Sequence, residues 1–566
     1  MKRFFFVITA VFSLAAAAAE RKPMSLVIMF DGMRVDAPDN LNMINYQMLR
    51  NGKWHPDYKA VFADNCRTVF DAMPDSAPNH ATIITGVSAA KHKVTFNGST
   101  KKEKFAVWKP YLARLIDAKA ITKGAFYYLW AENDRYPMGK DVICYRNRVN
   151  GLDFAAKDGD CVNRVVASLE SDNTPESTLL FVDSLDHSGH RGGRMQYGAR
   201  HGFYPYSRNY IYNAALCDYY LGNILHALRR RKNFDKEDWL IIVCSDHGGY
   251  GSGHGVAALE MARTTPLLAV SRRFEKGKLA KAPSALDIAP TVLAHHGVDV
   301  SKLGLDGKVL DHSIRKESAR KLADGLVYYL SFDQSVTANA AGTAPVTLQS
   351  TAPKLVPGRF GKAASFSRGG GFLQLAKSNT LPYENGSCFT VSFWIRTAVR
   401  NSSDPVIFSN KDWKNGFNPG VAFIRKGQAI YDRKTKKPIG MEDFYMFNAG
   451  SSAAKKRRID MRKMWNTDQW LFFAITRTAD NTCYIAQGFP DGNLYWMTAD
   501  CADLEFFNDL PWMINQDGTG KYSRRINFLL DDFAMWTRGM TLNEIKNIFI
   551  YGRSGASLDK MLKINK

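Results

Sequence analysis

The chain has 566 residues, of which 45% are apolar and 23% are charged. This length exceeds one ordinary domain and suffices for two or three packed cores, and the composition excludes a globally disordered protein. The formal net charge of +22 favours acidic partners such as phosphorylated or sulfated polymers. The basic runs at 229–232 and 455–458 are typical of solvated surface, however, and no nucleic-acid-binding module is recognisable.

Residues 1–19 have the pattern of a secretory signal peptide. Lys2 and Arg3 give a charged start, an apolar run follows, and the alanines at 15–19 suit cleavage. The apolar run is short for a membrane span, and no later segment reaches that length. We therefore expect an exported protein, secreted or periplasmic, without a transmembrane segment.

Residues 22–311 alternate apolar runs with helical patterns. This texture predicts an α/β domain with a largely parallel sheet flanked by helices. Buried-strand runs lie at 25–30, 178–182 and 239–244, and a helical pattern spans 210–231.

The texture changes after residue 311. Residues 312–323 are polar and charged, as expected of a linker that is helical or extended. Alternating apolar runs follow at 326–332, 389–397 and 470–478. In the run that begins at Phe389, alternate residues through Ile395 share one apolar face, which is the period of a half-buried antiparallel strand. We therefore predict an all-β jelly-roll sandwich over 324–555.

Residue types that bind metals cluster after the predicted strands, where α/β sheets expose their sites. Asp31 follows the first strand, although an Asp in this position is equally typical of a helix cap. Asp183, Asp186, His187 and His190 follow the second strand. Asp186 and His190 are four residues apart, so on one helical turn they can converge on a single ion.

The segment 245–255 (SDHGGYGSGHG) follows the third strand and is the most specific signal. Asp246 and His247 at a strand end would be costly without partners. The glycine-rich loop after them lets the backbone bring His254 close. Mixed histidine and carboxylate ligands suit zinc, and two neighbouring ions are expected, as in bimetallic hydrolases.

Ser76 lies just ahead of a predicted helix, in the segment 74–80 (PDSAPNH). The helix N-terminus there would stabilise an alkoxide or a bound phosphate, although a capping serine is the common alternative. Two cations beside it would ionise the hydroxyl and neutralise a leaving oxygen. The candidate ligands for these cations are Asp31, Asp186, His190, Asp246, His247 and His254.

The order of these residues resembles the alkaline phosphatase superfamily, and within it the type I phosphodiesterase and nucleotide pyrophosphatase branch. The PNHAT run after Ser76 is similar to that branch's nucleophile segment, and the resemblance extends over about 24–310. It implies a phosphoester hydrolase with Ser76 as nucleophile, acting on phosphodiesters or phosphomonoesters that are anionic or linked to glycans. Asn97 occupies the place of an asparagine that supports the phosphoryl oxygen, although an exposed loop residue is the alternative.

The same resemblance implies how two zinc ions, or other divalent metals, are held. Asp186, His190 and His254 would bind one ion. The ligands of the other ion would be Asp31, Asp246 and His247, with the Ser76 oxygen beside it.

Two other readings stay open. Sulfatases share this fold, but their nucleophile motif has an arginine where this chain has His80, and they usually bind one calcium ion through carboxylates and amides. Residues 325–552 resemble laminin-G-like or concanavalin-like jelly rolls, which implies glycan or protein binding, although many such sandwiches only pack on their enzyme. The chain would then be a glycan-binding protein with a degenerate enzyme domain.

Two details also stay open at the sequence level. A monoesterase needs extra cationic donors for the additional phosphate charge, and the candidates are Lys91, Lys93, Arg135 and Arg194. Cys144 with Cys161, and Cys483 with Cys501, are close enough in sequence to form disulfides in an oxidising compartment.

Overall fold

A computed structural model of the chain describes residues 21–99, 103–148, 154–190, 202–204, 207–255, 260–316, 320–397, 403–431, 435, 437–450, 455–461 and 468–563. The predicted signal peptide lies outside these residues. Within them, no helix combines the length and the apolar character needed to cross a bilayer.

The N-terminal half alternates strands and helices. Its strands are β1 (Lys22–Phe30), β2 (Lys59–Arg67), β3 (Gly124–Tyr128), β4 (Val142–Arg146), β5 (Ser177–Val182), β6 (Glu237–Cys244), β7 (Thr264–Ser271) and β8 (Gly277–Lys278). Its helices are α1 (Ala37–Asn40), α2 (Ile44–Arg50), α3 (Ser76–Thr85), α4 (Ala89–His92), α5 (Tyr111–Asp117), α6 (Phe154–Glu170), α7 (Ser184–His190), α8 (Arg208–Arg229), α9 (Glu260–Arg263) and α10 (Ile288–His295).

These strands form one sheet in the order β4-β3-β5-β1-β6-β7-β2-β8. The strands from β4 to β6 pair in parallel, whereas β7 is antiparallel to both β6 and β2. The predicted α/β fold with a largely parallel sheet is therefore confirmed, with antiparallel pairing towards one edge.

Residues 26–30 of the middle strand β1 are all apolar because helices cover both faces of the sheet. Leu26 and Ile28 belong to a core shared with Leu221 of α8. Val27 on the opposite face belongs to a core shared with Ile84 of α3. The continuous apolar run seen in the sequence thus reflects burial on two sides.

The C-terminal half is built from strands and two short helices at its end. The strands are β9 (Leu326–Leu330), β10 (Thr347–Gln349), β11 (Lys354–Pro357), β12 (Lys362–Phe366), β13 (Phe372–Lys377), β14 (Phe389–Arg396), β15 (Val406–Ser409), β16 (Val421–Tyr431), β17 (Pro438–Gly450), β18 (Lys456–Met461), β19 (Leu471–Arg477), β20 (Thr482–Gly488), β21 (Leu494–Asp500), β22 (Pro511–Ile514) and β23 (Phe528–Trp536). The helices are α11 (Leu542–Arg553) and α12 (Leu558–Leu562).

Two antiparallel sheets make up this half, in the orders β10-β13-β22-β15-β16-β17-β18 and β11-β12-β23-β14-β19-β20-β21. The predicted β-sandwich is confirmed. The expectation of a half-buried strand at β14 is wrong in one respect, because both of its faces are covered. Trp394 on the outer face packs against Phe549 of α11, and Thr390 is fully buried and bonds the Thr476 hydroxyl at 2.7 Å.

Over its described residues, 312–316 and 320–323, the predicted linker contains no helix, and residues 322–323 lie in a turn. The two halves also touch directly. Helix α9 lies against β18 and β21, which end their respective sheets. Val35 and Met261 of the N-terminal half belong to the same buried apolar cluster as the sandwich core.

Candidate metal centre

The candidate site lies at the carboxyl ends of β1, β5 and β6, with β1 between the other two. Parallel strands end at the same edge of a sheet, so the segments that follow them meet there. The Asp31 amide donates to the Val182 carbonyl at 3.0 Å, and the Gly32 amide donates to Asp246 Oδ1 at 3.1 Å. Gly32 has a φ of +71°, and a Cβ there would lie 2.8 Å from the Cα of Asp186, so this approach requires glycine.

Ser76 is the first residue of α3 and is only 6% exposed. Its Oγ lies 3.1 Å from Nε2 of His247. The serine oxygen thus faces the histidines and stands at the N-terminus of a ten-residue helix, where free amides favour negative charge.

Asp31, Asp246 and His247 form one group of potential metal ligands, each offering an atom within 4.8 Å of the others. His247 Nε2 lies 3.4 Å from Asp31 Oδ1 and 3.2 Å from Asp246 Oδ2. All three side chains are buried. The Ser76 Oγ contacts His247 Nε2 as well, so the serine lies next to this group.

Asp186, His190 and His254 converge beside the first group. His190 Nε2 lies 3.2 Å from Asp186 Oδ2 and 3.0 Å from His254 Nε2. Asp186 also has an atom within 4.8 Å of ligand atoms from His247 and His254. The rings of these two histidines stack at 3.7 Å, so the groups are adjacent. The structure therefore brings all six sequence-derived ligand candidates together.

The three imidazoles share one orientation. Nδ1 contacts a backbone carbonyl in each: Gly248 O at 2.8 Å for His247, Ser252 O at 3.1 Å for His190 and Pro74 O at 2.8 Å for His254. A carbonyl can only accept, so each Nδ1 carries a proton and each neutral ring directs an Nε2 lone pair into the cluster. This arrangement is typical of metal-binding histidines.

The 3.0 Å approach of the His190 and His254 Nε2 atoms needs a positive charge between them. A proton on one of the two rings can supply this charge. Burial opposes that proton, but the neighbouring Asp186 carboxylate outweighs it and raises the pKa of His190 to about 9. A divalent ion would satisfy both lone pairs at once.

The carboxylates point to the same need for cations. Asp31 Oδ1, Asp186 Oδ1 and Asp246 Oδ2 are buried and accept no hydrogen bond. Burial, followed by repulsion from Asp246 and Asp186, raises the pKa of Asp31 well above its usual value. Crowded carboxylates with unused oxygens are costly unless cations neutralise them, so the residues present fit a divalent metal centre.

His80 belongs to the cluster, although we expected no ligand or supporting role for it from the sequence. It lies one turn after Ser76 on α3, and its Nε2 is 3.3 Å from Asp31 Oδ2 and 3.2 Å from Asp246 Oδ2. Its Nδ1 contacts Asn133 Oδ1 at 3.1 Å. The i, i+4 spacing from the serine was the signal available in the sequence.

Asn97 lies next to the serine. Its Oδ1 accepts the backbone N–H of Ala77 at 2.9 Å, and its backbone N–H donates to Asp75 Oδ2 at 3.4 Å. Asp75 Oδ1 in turn lies 3.5 Å from His254 Nδ1. Asn97 is therefore connected to the start of α3 and, through Asp75, to His254. Its support of a phosphoryl oxygen stays a prediction.

The other described sequence candidates are not members of the two ligand groups. His187 stacks on Phe154 at 3.9 Å, and burial raises the pKa of Asp183 to about 7. Among the cationic candidates, Lys91 pairs with Asp306, Arg135 pairs with Glu132, and Arg194 lies outside the described residues. Cys144, Cys161, Cys483 and Cys501 are all unbonded, so neither suggested disulfide is present.

Two family models match the chain. One is the type I phosphodiesterase / nucleotide pyrophosphatase model, over residues 25–259. The other is the concanavalin A-like lectin/glucanases superfamily model, over residues 368–546. No curated protein matches the chain.

Several solved structures are similar to parts of the chain. Murine ectonucleotide pyrophosphatase / phosphodiesterase 5 is 15% identical and covers 49% of this chain and 95% of its own, with a TM-score of 0.37. A Vibrio parahaemolyticus protein of the alkaline phosphatase superfamily is 16% identical, with coverages of 53% and 71% and a TM-score of 0.35.

The binding domain of Paraclostridial mosquitocidal protein 1 is 18% identical and covers 40% of this chain, with a TM-score of 0.32. The chain spans about half of that toxin domain, 52% of its length. The two family models support an ester hydrolase with a lectin-like domain: residues 25–259 match the type I phosphodiesterase / nucleotide pyrophosphatase model, and residues 368–546 match the concanavalin A-like superfamily model.

Proposed function

We propose that this protein is an exported phosphodiesterase that uses Ser76 as its nucleophile and two divalent metal ions, with zinc the best fit. The observation that carries the proposal is the position of Ser76 Oγ, 3.1 Å from His247 Nε2 and thus beside two adjacent groups of ligands. A nucleophile next to paired cations is the arrangement that phosphoryl transfer requires.

The residues divide into two ligand sets. Asp186, His190 and His254 would hold one ion. Asp31, Asp246 and His247, with the serine oxygen, would hold the other. The three histidines among these ligands favour zinc over calcium or magnesium, which prefer oxygen ligands. When bound, the ions would supply positive charge that lowers the pKa of the serine hydroxyl and stabilises phosphoryl oxygens.

The proposed reaction proceeds in two displacements at phosphorus. Ser76 Oγ attacks, the bond between phosphorus and the ester oxygen breaks, and the alcohol leaves with a proton. The phosphorus is then joined to the serine and to the remaining ester group, and water hydrolyses the bond to Oγ, which releases a phosphomonoester and regenerates the serine. The N-terminus of α3 favours negative charge on Oγ, and Asn97, tied to the Ala77 amide at 2.9 Å, stands ready to support a phosphoryl oxygen.

Two observations favour a diester over a monoester. The family description names phosphodiesterases. A monoester also carries one more negative charge and needs extra cationic donors. Lys91 and Arg135, two of the four candidates for that task, are each engaged by a carboxylate.

The alternatives have less support. A sulfatase-like nucleophile motif needs an arginine where His80 stands, and His80 here is fully buried against Asp31 and Asp246. A glycan-binding protein with a degenerate enzyme domain would not need six converging ligands or a serine beside them. Glycan contact through the sandwich is compatible with activity and forms a secondary part of the proposal.

The test compares the wild-type protein and a Ser76→Ala variant on one phosphodiester, one phosphomonoester and one sulfate ester, with zinc added. We expect wild-type turnover to be highest on the diester. We expect the variant to lose at least about a thousandfold in kcat while retaining both ions, because it loses the attacking atom but keeps three carboxylate or imidazole ligands at each ion. Near-normal activity of the variant would refute the nucleophile assignment, and faster sulfate hydrolysis would favour the sulfatase reading.

Export forms a further part of the proposal. It is supported by the charged, apolar and alanine-rich pattern of residues 1–19. Fractionation of expressing cells, with N-terminal sequencing of the recovered protein, tests it. A chain that keeps residues 1–19 and stays in the cytoplasm would contradict it.

A further inference from the structure

The sandwich contacts the segments that carry the metal ligands. Arg34, three residues after Asp31, extends Nη2 to Met497 Sδ of β21 at 2.9 Å and Nη1 to the Gly249 carbonyl at 3.2 Å. One buried arginine therefore touches both the sandwich and the loop that carries the ligands of β6.

A tight turn connects the two histidine ligands of that loop. Tyr250 and Gly253 pair through two backbone hydrogen bonds of 2.9 and 3.2 Å, which closes the turn over residues 250–253. Gly251 has a φ of +63°, a left-handed conformation that favours glycine. The turn is thus a compact, closed unit between His247 and His254.

One side of this turn holds metal ligands. The Ser252 carbonyl accepts the Nδ1–H of His190 at 3.1 Å, and this contact fixes the tautomer of the ring. His254 follows Gly253 directly. A displacement of the turn would therefore move both His190 and His254.

The other side of the turn is fixed to the sandwich. Tyr250 packs against the apolar cluster of the sandwich core, and its hydroxyl donates to Asp460 Oδ2 of β18 at 3.4 Å. Asp460 is buried and is itself held by Arg458, with contacts of 2.7 and 2.8 Å. Arg458 therefore fixes the position of the carboxylate that accepts the hydrogen bond from Tyr250.

The chain after His254 has its own connection to the sandwich. Glu260, at the start of α9, lies 3.4 Å from Arg457 Nε of β18 and also pairs with Arg67 of β2. The segment that carries His254 is thus attached to β18 on both sides, through Asp460 before it and through Arg457 after it.

We infer that the sandwich is a positioning part of the metal centre: Asp460, acting through Tyr250, holds the 250–253 turn so that His190 and His254 meet at one ion. This inference rests on the proposed metal-dependent function. It gives the C-terminal domain a role in the site that is independent of any ligand of its own.

The energetic expectation follows from the distance of Asp460 from the ion. Partners that touch metal ligands typically change metal affinity ten- to a hundredfold, and a residue one contact further away should matter less. Tyr250→Ala removes both the ring and the hydroxyl, so we expect about tenfold weaker zinc binding at one of the two sites. Asp460→Leu removes only a long hydrogen bond, so we expect about threefold.

The experiment measures zinc affinity and stoichiometry by chelator competition on the full chain for wild type, Tyr250→Ala, Asp460→Leu and Asp460→Asn. Asp460→Asn keeps an oxygen that can accept from the tyrosine and should stay close to wild type. The matched control is Tyr522→Ala, because the Tyr522 hydroxyl likewise bonds a carboxylate, Asp404, at 2.7 Å within the sandwich. Thermal midpoints are recorded for every variant.

The inference holds if the Tyr250 and Asp460→Leu variants weaken one site, regain the wild-type kcat at saturating zinc, and leave KM unchanged. It is overturned if they bind two ions as wild type does. It is also overturned if Tyr522→Ala weakens zinc binding as much, because the effect would then be general destabilisation. A wild-type protein that binds no zinc would instead defeat the proposed function.

Discussion

His80→Leu is the substitution whose effect can be worked out most fully from the structure. The wild-type imidazole is fully buried and lies 3.3 Å from Asp31 Oδ2 and 3.2 Å from Asp246 Oδ2. Both carboxylates belong to the ligand set beside Ser76. Leucine fills similar space but has no ring nitrogen, so the two carboxylates lose the imidazole that pairs with both of them.

The magnitude follows from two considerations. Without the imidazole, the two buried carboxylates lose an ion-pair partner 3.2–3.3 Å away, which is destabilising, although a bound cation offsets part of the effect. Removal of a residue that orients metal ligands lowers affinity about ten- to a hundredfold. We therefore expect zinc binding at the Asp31 site to weaken by about 1.4–2.7 kcal/mol.

The assay is competition with a chromogenic chelator, with kcat and KM on a phosphodiester followed at rising zinc concentrations. We expect the variant to bind zinc at the Asp31 site ten- to a hundredfold less tightly than wild type. Its activity should follow the occupancy of that site. His296→Leu is the control: His296 is also buried, and it bonds the Ser25 hydroxyl at 2.9 Å at the start of β1, the end opposite the site. Wild-type affinity in His80→Leu, or an equal loss in His296→Leu, would refute the reasoning.

Three further predictions concern other residues. His254→Ala should reduce the zinc content after dialysis from two ions to about one, because it deletes a ligand, and two retained ions would contradict the assignment. Asn97→Ala should lower kcat about tenfold or more with little change in zinc content, because it removes a donor for the phosphoryl oxygen; an unchanged kcat would reduce Asn97 to a loop residue. The free energy of unfolding of Asp531→Asn, measured relative to wild type by urea unfolding, should be higher at pH 8 than at pH 5 by on the order of 2 kcal/mol.

The sign of the Asp531 effect follows from its burial. Burial raises the pKa of this carboxyl to about 7, above its ordinary value of 3.8. Between these values the folded state holds a proton that the unfolded state has released, so wild-type stability falls as pH rises through 7. The asparagine variant has no such proton, and parallel pH profiles for the two proteins would contradict the buried-carboxyl account.

Much of the site could be predicted because its ligands follow strands. Asp31 and Asp246 come directly after apolar runs that became β1 and β6, and parallel neighbours deliver such residues to one place. The loop after β6 could be anticipated for a similar reason, since its glycines permit a turn that few other residues allow. Local pattern and general sheet geometry were sufficient for these elements.

The role of His80 and the burial of both faces of β14 could not be predicted without the tertiary structure. The sequence shows that His80 shares a helix face with Ser76, but only the packing of α3 places it between Asp31 and Asp246. Thr390 looked like a solvent-facing residue because its polarity fits that position. It is instead buried and bonded to Thr476, which lies 86 residues away in the chain. Pairings at such separations leave no local mark in the sequence.

The two strands covered by α9 have a consequence for how this protein can be divided. β18 and β21 each end a sheet, and an uncovered terminal strand offers free amides and carbonyls to any other extended chain. Here α9 lies against both of these strands. A fragment consisting of the jelly roll by itself would expose both strands and would therefore be prone to self-association.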